Sequence, residues 1–185
     1  MKRKVLLALL LAGVAFSVFG QSVNDFEYTT ENNGITITGY KGSEKEITIP
    51  EKINGLPVTA IGNKAFTNHR LTSVTFPNSV TLIGNSAFSY NRLTAITLPA
   101  SIVTIDYMAF SNNRLAVVIL PDTLTYIGIN AFAGNRIKNL SLPSSLEYIG
   151  DGAFSRNLLN TVSVASTVRN FNSYAFDTYV KITWR

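Results

Sequence analysis

Ile83-Gly-Asn-Ser-Ala-Phe-Ser-Tyr-Asn-Arg-Leu-Thr-Ala-Ile-Thr-Leu-Pro99 returns two periods of 22 residues later as Ile127-Gly-Ile-Asn-Ala-Phe-Ala-Gly-Asn-Arg-Ile-Lys-Asn-Leu-Ser-Leu-Pro143. The same period aligns Ala65, Ala87, Ala109, Ala131, Ala153 and Ala175, each followed by a phenylalanine: Phe66, Phe88, Phe110, Phe132, Phe154 and Phe176. Apolar columns run through Ile61, Ile83, Ile105, Ile127, Ile149 and Phe171, through Leu71, Leu93, Leu115, Ile137 and Leu159, and through Val74, Ile96, Val118, Leu140 and Val162. A fixed period of this length marks a solenoid, whose units cannot bury an apolar side alone but build a continuous core by stacking. The fold class expected is therefore an α/β or mainly β solenoid of 22-residue units with short parallel strands.

Within each unit, Leu-x-x-Val-x-Leu sets two apolar residues at period two and then stops at Pro77, Pro99, Pro121 or Pro143, as a short strand would. The isoleucine column precedes Gly62, Gly84, Gly128 and Gly150, with Asp106 in the middle unit, and a tight turn is expected there. Asn91, Asn113, Asn135 and Asn157 follow the phenylalanine column by three residues, with His69 in their place in the first unit. Inward-pointing amides at one position per coil can bond the backbone of their own and neighbouring turns. His69 reads as an end-of-stack substitute for asparagine, since no activating partner recurs beside it.

This unit resembles the BspA-like subclass of leucine-rich repeats, on the I-G-x-x-A-F run followed by Asn and then by L-x-x-V-x-L-P, over about residues 47–176. The resemblance implies a leucine-rich repeat fold found on bacterial surface proteins, and adhesion to host or neighbouring-cell components.

The ends depart from the period. Residues 1–20 combine Lys2-Arg-Lys4, an apolar run and Val18-Phe-Gly20, the pattern of a signal peptide cleaved before Gln21. Residues 21–60 are expected to form an N-terminal cap with an atypical first repeat, including a hairpin around Asn33-Gly34. Five repeats fill 61–170, and 171–185 form a truncated C-terminal repeat or cap. A leader predicts an exported protein, whether secreted, on the cell surface or in the periplasm, with no membrane insertion after cleavage.

Composition narrows the chemistry. The 185 residues include no cysteine and one histidine, which excludes thiolate and multi-histidine metal sites and a cysteine nucleophile. The formal charge of +5 falls to +2 beyond residue 20, where thirteen basic and eleven acidic residues remain, so no nucleic-acid footprint is expected. The scattered carboxylates Asp106, Asp122, Asp151 and Asp177 form no evident acid–base pair. No enzyme, cofactor or metal is expected.

Two surface columns remain. The outward strand positions Ser73, Thr75, Ala95, Thr97, Val117, Ile119, Asn139, Ser141, Thr161 and Ser163 follow no consensus, which is where a repeat protein varies its binding surface. The expected partner is a protein, held by a face with Val117 and Ile119 at its centre, although these two could equally serve β-propensity alone. Arg70, Arg92, Arg114 and Arg136 form a second column, broken by Leu158, which either lies solvated over its own apolar stems or contacts an anion. A structural periplasmic scaffold, and a carbohydrate- or polyanion-binding module using these arginines, are the alternatives to protein binding.

Overall fold

A proline and two tight turns interrupt each 22-residue unit, which disfavours a regular helix within it. The computed structural model, which describes residues 22–171 and 173–185, accordingly contains only strands, turns and two 3-10 turns, at Val23–Asp25 and Ser173–Ala175. The chain winds into a mainly β solenoid of seven coils. The leader expected at 1–20 lies outside the described residues.

Each coil touches two sheets, and the longer one is not the sheet expected. Leu82–Ile83, Thr104–Ile105, Tyr126–Ile127 and Tyr148–Ile149 pair in parallel and in register, joining Leu56–Ile61 at one end and Asn170–Phe171 at the other. These strands are mostly two residues long, too short to show alternation in a sequence. The Leu-x-x-Val-x-Leu column does form strands at Ser73–Thr75, Ala95–Thr97, Val117–Ile119 and Thr161–Val164, but they pair only as separate couples. Glu46–Thr48 pairs with Ser73–Thr75, Ala95–Thr97 with Val117–Ile119, and Thr161–Val164 with the C-terminal Lys181–Trp184. The segment 139–141 is not a strand. Asparagine is a poor strand former at 139, and the Arg185 guanidinium donates to the Leu142 carbonyl, occupying an acceptor on that coil.

Between the sheets lies one core. The six phenylalanines stack face to face, with centroids 5.0 to 5.5 Å apart from Phe66 to Phe176 and planes within 12° of parallel. The backbone fixes that spacing: Phe66, Phe88, Phe110, Phe132 and Phe154 each donate their N–H to the alanine carbonyl of the next coil, at 2.7 or 2.8 Å. The glycine column serves the close approach of coils, since a Cβ on Gly150 would stand 2.5 Å from the Ile129 nitrogen.

At the N-terminal end, Phe26–Glu31 and Gly34–Tyr40 make the antiparallel hairpin cap, and Phe26 and Tyr40 close over Phe66. Its turn is Asn32-Asn33, both at positive φ, as a two-residue type I′ loop requires; Gly34 instead pairs with Glu31 in the strand. The five extra residues after Pro50 hold a second small hairpin, Lys52–Ile53 against Leu56–Ile61, turned at Asn54-Gly55.

Two further columns carry left-handed backbone. Lys64, Ser86, Met108, Asn130 and Gly152 have φ from 52° to 64°, and Asn68, Tyr90, Asn112, Gly134 and Arg156 have φ from 53° to 70°. A side chain other than glycine or asparagine costs roughly 1–2 kcal/mol in this region. Lys64 is exposed, so Lys64→Asn should lose little packing and raise stability by about 0.5–1 kcal/mol. The denaturant midpoint measures it, and a lower midpoint would show that the lysine stem contributes more than the strain.

Candidate functional site

The polar column behind the phenylalanines is structural. Asn113 Nδ2 donates to the carbonyls of Phe88 at 2.9 Å and Phe110 at 3.1 Å, and its Oδ1 accepts from the Leu93 N–H at 3.1 Å. Asn91, Asn135 and Asn157 repeat this arrangement, each joining two coils and each less than a tenth exposed. His69 holds the same column at the N-terminal end, its Nδ1 2.9 Å from the Thr67 carbonyl and its Nε2 2.9 Å from the Tyr40 carbonyl. The C-terminal end is closed by a residue that stands in another column. Asp177 accepts from the Arg156 and Asn157 N–H groups, and Tyr179 donates to the Asn157 carbonyl and to Asp177. Desolvation and then the Asp177 charge raise the Tyr179 hydroxyl above its ordinary pKa. A hydroxyl ladder completes the frame: Ser79, Ser101, Thr123, Ser145 and Thr167 each donate to a carbonyl of the preceding coil at 2.6 to 2.8 Å.

The frame leaves two surfaces. On the strand face, Ser73, Thr75, Ala95, Thr97, Val117, Ile119, Asn139, Ser141 and Thr161 are all exposed, while Ser163 is half-buried because Thr183 pairs beside it. Val117 and Ile119 are each 54% exposed, and Val118 between them is buried. Two valine and isoleucine side chains therefore stand in water at the middle of the face, with Ala95 and Thr97 aligned beside them on the neighbouring strand. Where the paired strands part, the face carries shallow clefts of about 400 to 430 Å³, one lined by residues of Ser73–Pro99 and another between Val118 and Ser144.

The arginine column borders this face three residues before each strand. Arg70, Arg92, Arg114 and Arg136 are exposed, and among the described residues none forms an ion pair; the pair found is Lys41–Glu27, at 2.8 Å on the hairpin. Like charges about 5 Å apart repel by about 0.8 kcal/mol even in bulk water.

The opposite sheet carries Tyr126 stacked on Tyr148, with centroids 4.7 Å apart. Burial, then the neighbouring Tyr148 and Asp106, raise the Tyr126 hydroxyl above its ordinary pKa. The carboxylates Asp106, Asp122, Asp151 and Asp177 are not gathered into one site: among the described residues no group of three or more histidine, cysteine or acidic side chains could hold a metal ion. Nor does any described helix have the length and apolarity to cross a membrane.

Residues 59–183 match the family model for the BspA type leucine-rich repeat region, in six copies. Among solved structures, the chain is similar to the T. pallidum leucine-rich repeat protein TpLRR, at 27% identity and a TM-score of 0.73, over 89% of this chain and 86% of that one. It is also similar in fold to the pneumococcal vaccine antigen PcpA, at 24% identity and a TM-score of 0.68. That match covers 88% of this chain and 48% of PcpA, so the chain spans about half the length of that relative. No curated protein matches.

Proposed function

Because this chain belongs to the BspA-type leucine-rich repeat family, we propose that it is an exported, non-enzymatic module that binds another protein through the strand face and serves attachment at a cell surface. Its leader-like residues 1–20 and its likeness to a vaccine antigen support export and an extracellular location. The observation that carries the binding reading is the pair Val117 and Ile119: a fixed core lies beneath them, small and mainly polar residues surround them, and both are more than half exposed. An apolar centre with a polar rim is how protein interfaces concentrate their energy.

The face is small. Seven strand positions at about 4.8 Å span roughly 29 Å, room for an interface at the lower end of the specific range, below about 1,200 Å². A single copy should therefore bind its partner with micromolar or weaker affinity, and clustered copies should bind far more tightly. Binding to immobilised surface proteins of candidate cells, measured with the chain in solution and then reversed, tests this. Val117→Asp with Ile119→Asp should weaken binding at least tenfold while the chain stays folded, with the unfolding midpoint lowered only by the lost strand propensity. Nanomolar monovalent binding that this double variant leaves unchanged would place the site elsewhere.

A further inference from the structure

We propose that the arginine edge of the solenoid is a second binding site, for an acidic polysaccharide carrying regularly spaced carboxylate or sulfate groups. The backbone N–H groups of Arg92, Arg114 and Arg136 donate to the carbonyls of Leu71, Leu93 and Leu115, at 2.8 to 2.9 Å. These bonds fix one arginine per coil, and the phenylalanine stack sets the coil spacing at 5.0 to 5.5 Å. Arg92, Arg114 and Arg136 thus follow one another at the coil spacing, held by the frame that holds the core, while Arg70 begins the row with a left-handed backbone at φ 60°.

Among the described residues, acidic side chains stand only at the N-terminal end of the row, where Glu44 and Glu46 flank Lys45 and Glu46 pairs with Ser73. From Lys52 to Ile105 the chain has no aspartate or glutamate, although Lys64, Arg70 and Arg92 lie within that stretch. The exposed Lys138 stands two residues beyond Arg136, and Lys45 lies beside the first coil of the row through the bond of Thr72 N–H to its carbonyl. An unpaired row of like charges raises its own energy, and an anion between neighbours removes that repulsion while gaining charge-assisted hydrogen bonds.

The spacing argues against an extended acidic peptide. Same-side residues of an extended peptide recur at about 6.7 Å, so its carboxylates would fall out of step with the coils within a few units. Asn112 and the exposed Tyr90, each two residues before an arginine, add an amide and a hydroxyl suited to ring hydroxyls.

The test is equilibrium binding of the full chain to heparin, polygalacturonate, neutral dextran and polyglutamate at several salt concentrations. Binding to heparin or polygalacturonate, and not to dextran, is expected; which of the two binds separates sulfate from carboxylate recognition. Arg92→Gln with Arg114→Gln should weaken that binding at least tenfold and lower the salt slope by about one per arginine removed. The unfolding midpoint should stay in place. Failure of both anionic polysaccharides to bind at low salt would overturn the proposal. So would polyglutamate binding as tightly as either, or an arginine variant within twofold of the parent.

Discussion

Phe110→Ala should cost roughly 3–5 kcal/mol of stability, the range for emptying a large buried aromatic site. Phe110 is fully buried and lies at the centre of the stack, with Phe88 at 5.3 Å on one side and Phe132 at 5.4 Å on the other. Its removal forfeits two ring contacts as well as the transfer energy of the ring. Collapse around the void is restricted, because the N–H of residue 110 and the carbonyl of Ala109 are both tied into the ladder that spaces the coils. Phe176, at the end of the stack, has one stacked neighbour and should cost less. Arg114→Ala removes an exposed charge and should cost less than about 1 kcal/mol. Denaturant midpoints for the three variants provide the ranking, and equal losses would show that the rings are not the core.

That ranking concerns residues whose roles were legible in the sequence, because stacking gives every coil the same environment and so imposes the same residue. Ile105, Ala109, Phe110, Asn113 and Leu115 are each one member of such a column. The left-handed positions were not legible. At Met108 and Tyr90 the interlocked backbone dictates the conformation, through bonds such as Met108 N–H to the Ile129 carbonyl and Tyr90 N–H to the Ser111 carbonyl. Local preference is overridden there, and only Asn130 and Gly152 in one column and Asn68, Asn112 and Gly134 in the other hint at it. The longer sheet escaped notice for a different reason, since two residues per strand show no period. Asp177 was hidden because it closes the asparagine column from another position of the repeat, where spacing cannot reveal it.

The surfaces divide in the same way. Absence of a consensus marked the outward strand positions, and the structure exposes all of them but Ser163. The contact that Arg185 makes with the Leu142 carbonyl could not be read, because it comes from 43 residues further along the chain. A core fixed by repetition and a surface free of it are complementary consequences of stacking: the columns that must agree hold the coils at one spacing, and that spacing sets the geometry of whatever the free columns bind.

Asn113→Ala should cost far more stability than the small volume it removes would suggest. The amide satisfies three groups with no access to water: the Leu93 N–H and the carbonyls of Phe88 and Phe110. Phe88 also gives its carbonyl to Asn91 and Phe110 gives its own to Asn135, so both oxygens keep one donor and the Leu93 N–H alone is left without a partner. A buried donor left without a partner costs about 1–3 kcal/mol and each carbonyl that keeps one donor adds less, so a total of about 2–4 kcal/mol is expected. Asn113→Asp separates hydrogen bonding from size. Its ionised carboxylate can accept from the Leu93 N–H but would face two carbonyl oxygens that need donors, so the folded state should hold the new carboxyl protonated and raise its pKa. An acid with a raised folded pKa is least harmful below its unfolded value of about 3.9, and stability falls as pH rises from there through the folded value. The stability gap between Asn113→Asp and the parent chain should therefore widen from pH 4 to pH 7, whereas the gap for Asn113→Ala should stay constant. Urea midpoints across that range decide it, and a pH-independent gap for the aspartate variant would mean that the column is open to water.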